Sequence, residues 1–272
     1  MDAHANAAAQ PLVRKLDSVF ALSDDERQGL ISLPMQVVKI RADQDIVREG
    51  DRPSRCCLVL EGFACMFKVT ADGNRQSMNF HIPGDIPDLQ SLHVKVLDSS
   101  LGSVTACTVG FIQHEAVHDL CKRNYRIASA LWRETLIDAS IFREWMTSIG
   151  RRDAYARIAH LLCEMVVRLR AVGLASENHT CDFPISQSRI GDALGLSAVH
   201  VNRVLQELRG AKLITLKGGV LSILNWDGLR QAGEFDPVYL HLENQRTGSR
   251  GGEGLIEFPP DLAGSPPTRG PL

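Results

Sequence analysis

Residues 183–214 read FPISQSRIGDALGLSAVHVNRVLQELRGAKLI. Ser186 stands just before an apolar-periodic run, the place of a helix N-cap. Ile190, Ala193 and Leu194 fall on one face of the helix that follows, and Gly191 is small where two helices must approach closely. Gly195 sits where that helix must end and reverse, a position that asks for a left-handed backbone. Leu196 fills the turn and Ser197 caps a second helix. In it Val201, Val204, Leu205 and Leu208 recur at i, i+3, i+4 and i+7 and so face a core. Ala198, Val199, His200, Asn202, Arg203 and Gln206 are left outward. Two short helices, a tight turn and an exposed polar face predict a helix-turn-helix. An ordinary helical hairpin would share the apolar spacing. The next segment favours the first reading, because LITLKGGVLSIL (213–224) is two β-rich runs around Lys217-Gly218-Gly219, the pattern of a hairpin wing.

Charge partitions around this segment. Between 183 and 225 Arg189, Arg203, Arg209, Lys212 and Lys217 stand against Asp192 and Glu207, a local net of about +3. The whole chain of 272 residues has a formal net charge of -2, which taken alone argues mildly against nucleic acid. At that length, with 44% hydrophobic residues, the chain can bury a core and suggests two domains. Its seven cysteines are odd in number and scattered, so they imply no disulfide framework. No apolar run approaches the ~18–20 residues of a membrane span. The N-terminus MDAHANAAAQP places Asp2 where a secretory signal would be basic. The expectation is a protein of the cytoplasm with no membrane partner.

Upstream of the helix-turn-helix the texture changes twice. Ser23 and Glu26 have the spacing of a capping box, which predicts a short helix. Short β-rich runs follow: VVKI (37–40), CCLVL (56–60), FACMFKV (63–69), QSMNFHI (76–82) and SVTACTVGFI (103–112). Glycine turns separate the first four, and such a series predicts an antiparallel barrel or roll. HEAVHDLCKR (114–123) reads as a short helix. Residues 125–150 contain no Gly or Pro until Gly150 and read as one long helix. Ala128, Leu131, Thr135, Asp138, Phe142, Trp145 and Ile149 form a heptad seam on it, and a second stripe of Ile127, Ile137 and Ile141, with Trp132, Leu136 and Met146 beside it, lies off that seam. A helix apolar on two faces is buried on two faces, here the roll and a sister helix. An amphipathic helix over 153–172 leads into the helix-turn-helix. The Gly-, Pro- and Ser-rich stretch 244–272 reads as a disordered tail. The fold class is α+β: an N-terminal antiparallel, jelly-roll-like β-roll, a long dimerisation helix and a C-terminal winged helix-turn-helix. The divisions fall at 12–124, 125–150 and 151–230.

These features resemble the Crp/Fnr family of bacterial transcription regulators. The likeness covers about 12–243 and rests on four turns, Glu49-Gly50-Asp51, Glu61-Gly62, Asp72-Gly73 and Pro83-Gly84-Asp85, on the long helix and on ISQSRIGDALGLSAVHVNRVL. The segment LWRETLIDASIFREWMTSIGRRDAYARIAHLLCE resembles an alphaproteobacterial branch. The resemblance implies a β-roll sensor of the cyclic-nucleotide-binding type and a homodimer that reads a palindromic double-stranded DNA operator, with RNA polymerase a partner if it activates. The hinge would lie near Gly150-Arg151-Arg152. Two departures qualify the sensor. Ile86-Pro87-Asp88-Leu89 and Ser103-Val104-Thr105-Ala106 stand where cyclic-AMP receptors of the family hold a Gly-Glu pair and a phosphate-binding Arg, and Thr105 replaces the guanidinium. The signal is therefore unknown and cyclic AMP in the usual mode is not expected. No cysteine precedes Cys56, which argues against the family's N-terminal iron–sulfur cluster. No cofactor is expected.

In the recognition helix Arg203 is the candidate for a bidentate guanine contact, a phosphate contact being its alternative. Val199 could meet a thymine methyl, and His200 and Asn202 are further base-reading candidates, solvation being the alternative for each. Ser186, Gln187 and Ser197, at helix N-termini, and Lys217 of the wing are phosphate candidates. Two rivals come from other classes. One is a ligand-sensing module that acts through a protein partner. The other is a zinc hydrolase, because His114-Glu115-Ala116-Val117-His118 matches H-E-x-x-H. That helix is short and has no evident third ligand, so the chain is read as a non-enzyme. The strand cysteines are read as core thiols.

Overall fold

The computed structural model describes residues 9–243, and the tail read over 244–272 lies outside them. Helix α1 (Gln10–Val19) comes first among the described residues, has Pro11 in its first turn and buries Leu12, Val13, Leu16 and Val19. Sequence periodicity did not separate it from its surroundings. Helix α2 (Asp24–Ile31) follows with the expected capping box: Glu26 N donates to Ser23 Oγ and Ser23 N to Glu26 Oε2.

The roll is two antiparallel sheets. β1 (Gln36–Ile40), β7 (Cys107–Gln113) and β3 (Arg55–Glu61) form one, in the order β1-β7-β3. β2 (Asp45–Val47), β6 (Ser100–Ser103), β4 (Ala64–Val69) and β5 (Arg75–His81) form the other, in the order β2-β6-β4-β5. The run read as one strand over 103–112 is thus broken. Val104 N and Thr105 N both donate to Phe63 O, at 2.7 and 3.3 Å, and Phe63 N donates to Thr105 Oγ1 at 2.9 Å. At this paired corner both β3–β4 and β6–β7 switch sheets. Gly62 makes the crossing possible: its φ is +82°, and a Cβ there would lie 2.3 Å from Ala106 O.

Helix α3 (His114–Arg123) joins the roll to α4 (Tyr125–Arg151), which is capped by Asn124. The two faces of α4 are not divided as the heptad reading had them. Ile127, Ala130, Leu131, Glu134, Ile137, Ile141 and Trp145 are buried inside the chain itself. Tyr125, Trp132, Leu136 and Met146 are its outward large apolar residues, 77%, 69%, 55% and 69% exposed. Leu131 and Trp145 belong to the inner face because they pack on the roll and on neighbouring helices; Trp145 meets Phe80 edge to face at 5.5 Å.

Helix α5 (Ala154–Ala171) is not amphipathic as read: twelve consecutive residues, Ile158 to Leu169, are buried. Beyond it lie α6 (Gln187–Leu194) and α7 (Ala198–Gly210), and a three-stranded sheet of β8 (Thr180–Asp182), β10 (Val220–Ile223) and β9 (Ile214–Lys217) in the order β8-β10-β9. Helix α8 (Trp226–Ala232) closes the head, and the chain returns through Phe235 and Leu240 to the core around α5. That core is continuous from Phe67 and Phe80 of the roll through α4 and α5 to Leu205 and Leu208 of α7.

Gly191 is where α6 and its turn meet most tightly, since a Cβ there would lie 2.4 Å from Leu196 O. Gly191→Ala is expected to destabilise the chain by about 1–3 kcal/mol, read as a lower midpoint in urea at unchanged slope.

Candidate nucleic-acid interface

The helix-turn-helix is built by local chemistry. Arg189 N donates to Ser186 Oγ at 3.3 Å, which caps α6. Gly195 ends that helix in the left-handed region at φ +66°. His200 N donates to Ser197 Oγ at 3.2 Å, which caps α7. Val201, Val204, Leu205 and Leu208 are buried, so the outward face is set by what remains. Val199 is 81% exposed. The Arg203 side chain projects into solvent, held only by a 3.8 Å ion pair to Glu207. His200 is half-buried beside it. Asn202 is not free: its Oδ1 accepts from Gln187 Nε2 at 3.2 Å, so these two candidates are joined across the turn. Ser186 and Ser197 are exposed at their helix ends. In the wing, Gly218 and Gly219 both take positive φ, and Lys217 is exposed at the tip of the hairpin. Arg209 Nη2 donates to Leu216 O and ties α7 to the wing.

Arg189, counted among the basic residues of the head, faces elsewhere. It pairs with Asp43 of the roll and lies 3.6 Å from Asp192. Gln76 Nε2 of β5 donates to Ala193 O at 3.0 Å, and Arg157 Nη1 of α5 to Leu194 O at 3.0 Å. The first helix of the helix-turn-helix is therefore docked on the roll while the second faces out.

Beneath that contact lies a charged junction the sequence reading missed. Lys15 of α1 is buried with its Nζ 2.7 Å from Asp85 Oδ1 and 2.7 Å from Glu134 Oε1. Arg168 of α5 reaches Asp85 Oδ2 at 3.0 Å, Glu164 Oε1 at 3.1 Å and Asn79 Oδ1 at 2.9 Å. Glu164 also accepts from Trp145 Nε1 at 3.0 Å and from the Tyr239 hydroxyl at 2.7 Å. Burial alone would raise the Asp85 carboxyl, but Lys15, His81 and Arg168 hold it well below the usual carboxylate range. One signal was present: Glu134 occupies a position of the inner stripe of α4, and Glu164 and Arg168 stand at i and i+4 in a stretch of α5, Leu161 to Leu169, that is otherwise apolar.

A cyclic nucleotide-binding domain model matches residues 37–124, and a Crp-like helix-turn-helix domain model matches 156–232. Together they span the roll and the capped reading helices. The chain belongs to the Crp/Fnr family. It is 25% identical to the transcriptional activator protein FnrL of Cereibacter sphaeroides over 203 residues, 74% of this chain and 81% of that one. It is 29% identical to the nitrogen fixation regulation protein FixK of Bradyrhizobium diazoefficiens over 196 residues, 69% and 78%. The structure of FixK2 from Bradyrhizobium japonicum superposes with a TM-score of 0.67 at 25% identity, covering 74% of this chain and 98% of that one.

The place where a phosphate-binding Arg was looked for holds Thr105 instead. Thr105 there spends its hydroxyl on Phe63 N and Ala106 O, holding the corner between the sheets. Asp88 is buried and accepts from Cys57 N at 2.8 Å; burial pushes its carboxyl up to about 7. The H-E-x-x-H histidines have other partners. His114 Nε2 lies 2.9 Å from Ser91 Oγ, and His118 packs edge to face on His93. Among the described residues no three His, Cys, Asp or Glu side chains converge as a metal site. The strand cysteines Cys56, Cys57, Cys65 and Cys107 are buried and unpaired, and burial pushes the Cys56 thiol up to about 12.

Asp85→Ala would leave Lys15 and Arg168 buried without their shared partner. The expected loss is about 3–5 kcal/mol in chemical denaturation, far above that of an exposed pair such as Arg27–Asp24.

Proposed function

We propose that the chain is a homodimeric, sequence-specific DNA-binding transcription regulator that reads a palindromic operator, and that it is not an enzyme. The observation that carries this is the recognition helix α7, capped by Ser197, with Val199, His200 and Arg203 outward and a Lys217 wing beside it, on a head that stays locally positive with Arg189 spent on Asp43 of the roll. Arg203, Val199 and His200 are the base-reading residues. Asn202, joined to Gln187, sets the position of that amide at the start of α6. Ser186, Gln187, Ser197 and Lys217 meet phosphates, where helix N-termini and an exposed ammonium favour them.

The outward stripe of α4 supports a dimer. Tyr125, Trp132, Leu136, Ala139 and Met146 fall at steps of 7, 4, 3 and 7, the a and d spacing of a two-stranded coiled coil. Trp132, Leu136 and Met146 together are too much exposed apolar surface for one helix face to leave in water. Paired α4 helices related by a two-fold would set two copies of α7 in successive major grooves about 34 Å apart. The sensor domain is 12–124, the dimerisation helix 125–150 and the reader 151–230, with the hinge at Gly150-Arg151-Arg152. Arg152 is the extended residue at which α4 ends. Its side chain is tied to Glu144 at 2.7 Å. The signal the roll takes is not cyclic AMP in the usual mode, because Thr105 offers no guanidinium to a cyclic phosphate. RNA polymerase is the further partner if the regulator activates, and the compartment is the cytoplasm.

Selection from a randomised duplex library, followed by gel shift, tests the reading. Enrichment of an inverted repeat is expected; no sequence-selective binding at moderate salt would overturn it. Arg203→Ala should cost about 1–3 kcal/mol at one symmetric base position, and Lys217→Ala should weaken all sequences alike and reduce the salt slope by about 1. Leu136→Glu with Met146→Glu should yield monomers in sedimentation and lose the inverted-repeat preference.

A further inference from the structure

The junction between α1, the roll, α4 and α5 holds more acids than bases. Its fixed cations are Lys15 and Arg168; its carboxyls are Asp85, Glu134, Asp138 and Glu164. Asp85 draws on both cations, and Glu164 on Arg168, Trp145 and Tyr239. Glu134 and Asp138 are left in surplus, one turn apart on α4. Glu134 is buried, and apart from the Lys15 ammonium its oxygens have no hydrogen-bond partner. Asp138 is half-buried and accepts from Asn79 Nδ2 at 3.2 Å, and Asn79 is itself held by Arg168. The groups that face the pair are Lys15 from α1, His81 and Asp85 from the roll with Asp88 beyond them, and Arg168 and Glu164 from α5. His81 is fully buried with its Nδ1 3.5 Å from Asp85 Oδ2, and neither ring nitrogen has a hydrogen-bond partner. A surplus carboxylate in such a place is costly as an anion, and a bound proton removes that cost.

We propose that Glu134 and Asp138 form a proton-operated coupling site: as neutral acids they let α1, the roll and α5 close on α4, and their ionisation loosens that closure and the sensor's hold on the reader. The direction of each equilibrium agrees. Burial pushes Glu134 up to about 7 against the pull of Lys15, and pushes Asp138 up against the pull of His81. A carboxyl raised by folding binds its proton more tightly in the closed state. The stabilisation is complete below the ordinary value of 4.5 and is lost as the pH rises through about 7. The closed junction therefore weakens across neutrality. The effect on DNA rests on the regulator function proposed above; the loosening itself does not depend on it.

Infrared difference spectra of the full-length chain should show a protonated carboxyl stretch in the folded protein at about pH 6 that titrates away by about pH 8. The band should shrink in Glu134→Gln and in Asp138→Asn. Amide hydrogen exchange, corrected for its intrinsic pH dependence, should show α1 and α5 losing at least about tenfold more protection over that range in the native chain than in Glu134→Gln. Binding to a mixed-sequence duplex, followed by fluorescence anisotropy, should carry a pH dependence that Glu134→Gln removes. A folded native chain with no protonated carboxyl at the lower pH overturns the proposal without need of any variant. So does a Glu134→Gln chain whose α1 is unprotected at every pH, because the ionised form would then be what holds the junction. The expected exchange response with unaltered duplex affinity keeps the coupling site and overturns its link to the reader. The same response in a chain that binds no duplex at all counts against the regulator function alone.

Discussion

Lys15, Asp85 and Arg168 meet in a region from which water is excluded, and each comes from a different part of the chain. Burying an ion costs several kcal/mol after relaxation, so none of the three tolerates the absence of the other two. Asp85 sits at a glycine turn of the roll, Lys15 in the middle of the opening helix, and Arg168 near the end of the helix that leads to the reader. The hydrophobic effect would accept many arrangements of these apolar elements, since it is not directional. The ion pairs accept very few. This set of contacts fixes how α1, the roll and α5 stand to each other, and the position of the head is set in turn by α5.

The head is held a second time from outside, through Asp43 and Gln76 of the roll to Arg189 and Ala193 of α6. The exposed Arg189–Asp43 pair contributes little by itself. Its geometry matters more: the helix that does not read is the one docked, and the reading helix is left clear. Roll and head are thus joined by a buried charged junction at α5, a weak contact at α6 and the apolar core they share. A change that loosens the first leaves the core and the α6 contact to hold the head in place.

How much of this was legible depended on whether the signal was local. Ser186, Gly191, Gly195 and Ser197 each answer to a rule that acts within four residues, and each stands where that rule placed it. The capping box at Ser23 and the helix 114–123 were legible for the same reason. The break in the run 103–112 was not, because its cause is Phe63, some forty residues away in sequence. Apolar spacing on α4 identified two stripes but could not say which met the chain's own roll, and Trp145 of the heptad seam lies inward. Lys15, Glu134 and Arg168 were not singled out, because an ionic side chain reveals its burial only through partners distant in sequence. Among the site residues, the exposure of Val199 and Arg203 was legible, while the bond from Gln187 to Asn202 was not.

Helix α5 has no outside. Ile158 to Leu169 are buried around the whole circumference, against the roll and α4 on one side and against α7, α8 and the returning chain on the other. A boundary drawn at residue 151 therefore runs along a helix that belongs to both halves. In most two-part regulators the halves can be pictured as interchangeable modules on a linker. Here a shuffled descendant that joined this reader to a foreign roll would inherit Arg168 with no Asp85 or Asn79 to receive it, and a row of apolar side chains with nothing to cover them. The unit of inheritance is the whole span from α1 to the end of the head, and the two halves can change only together.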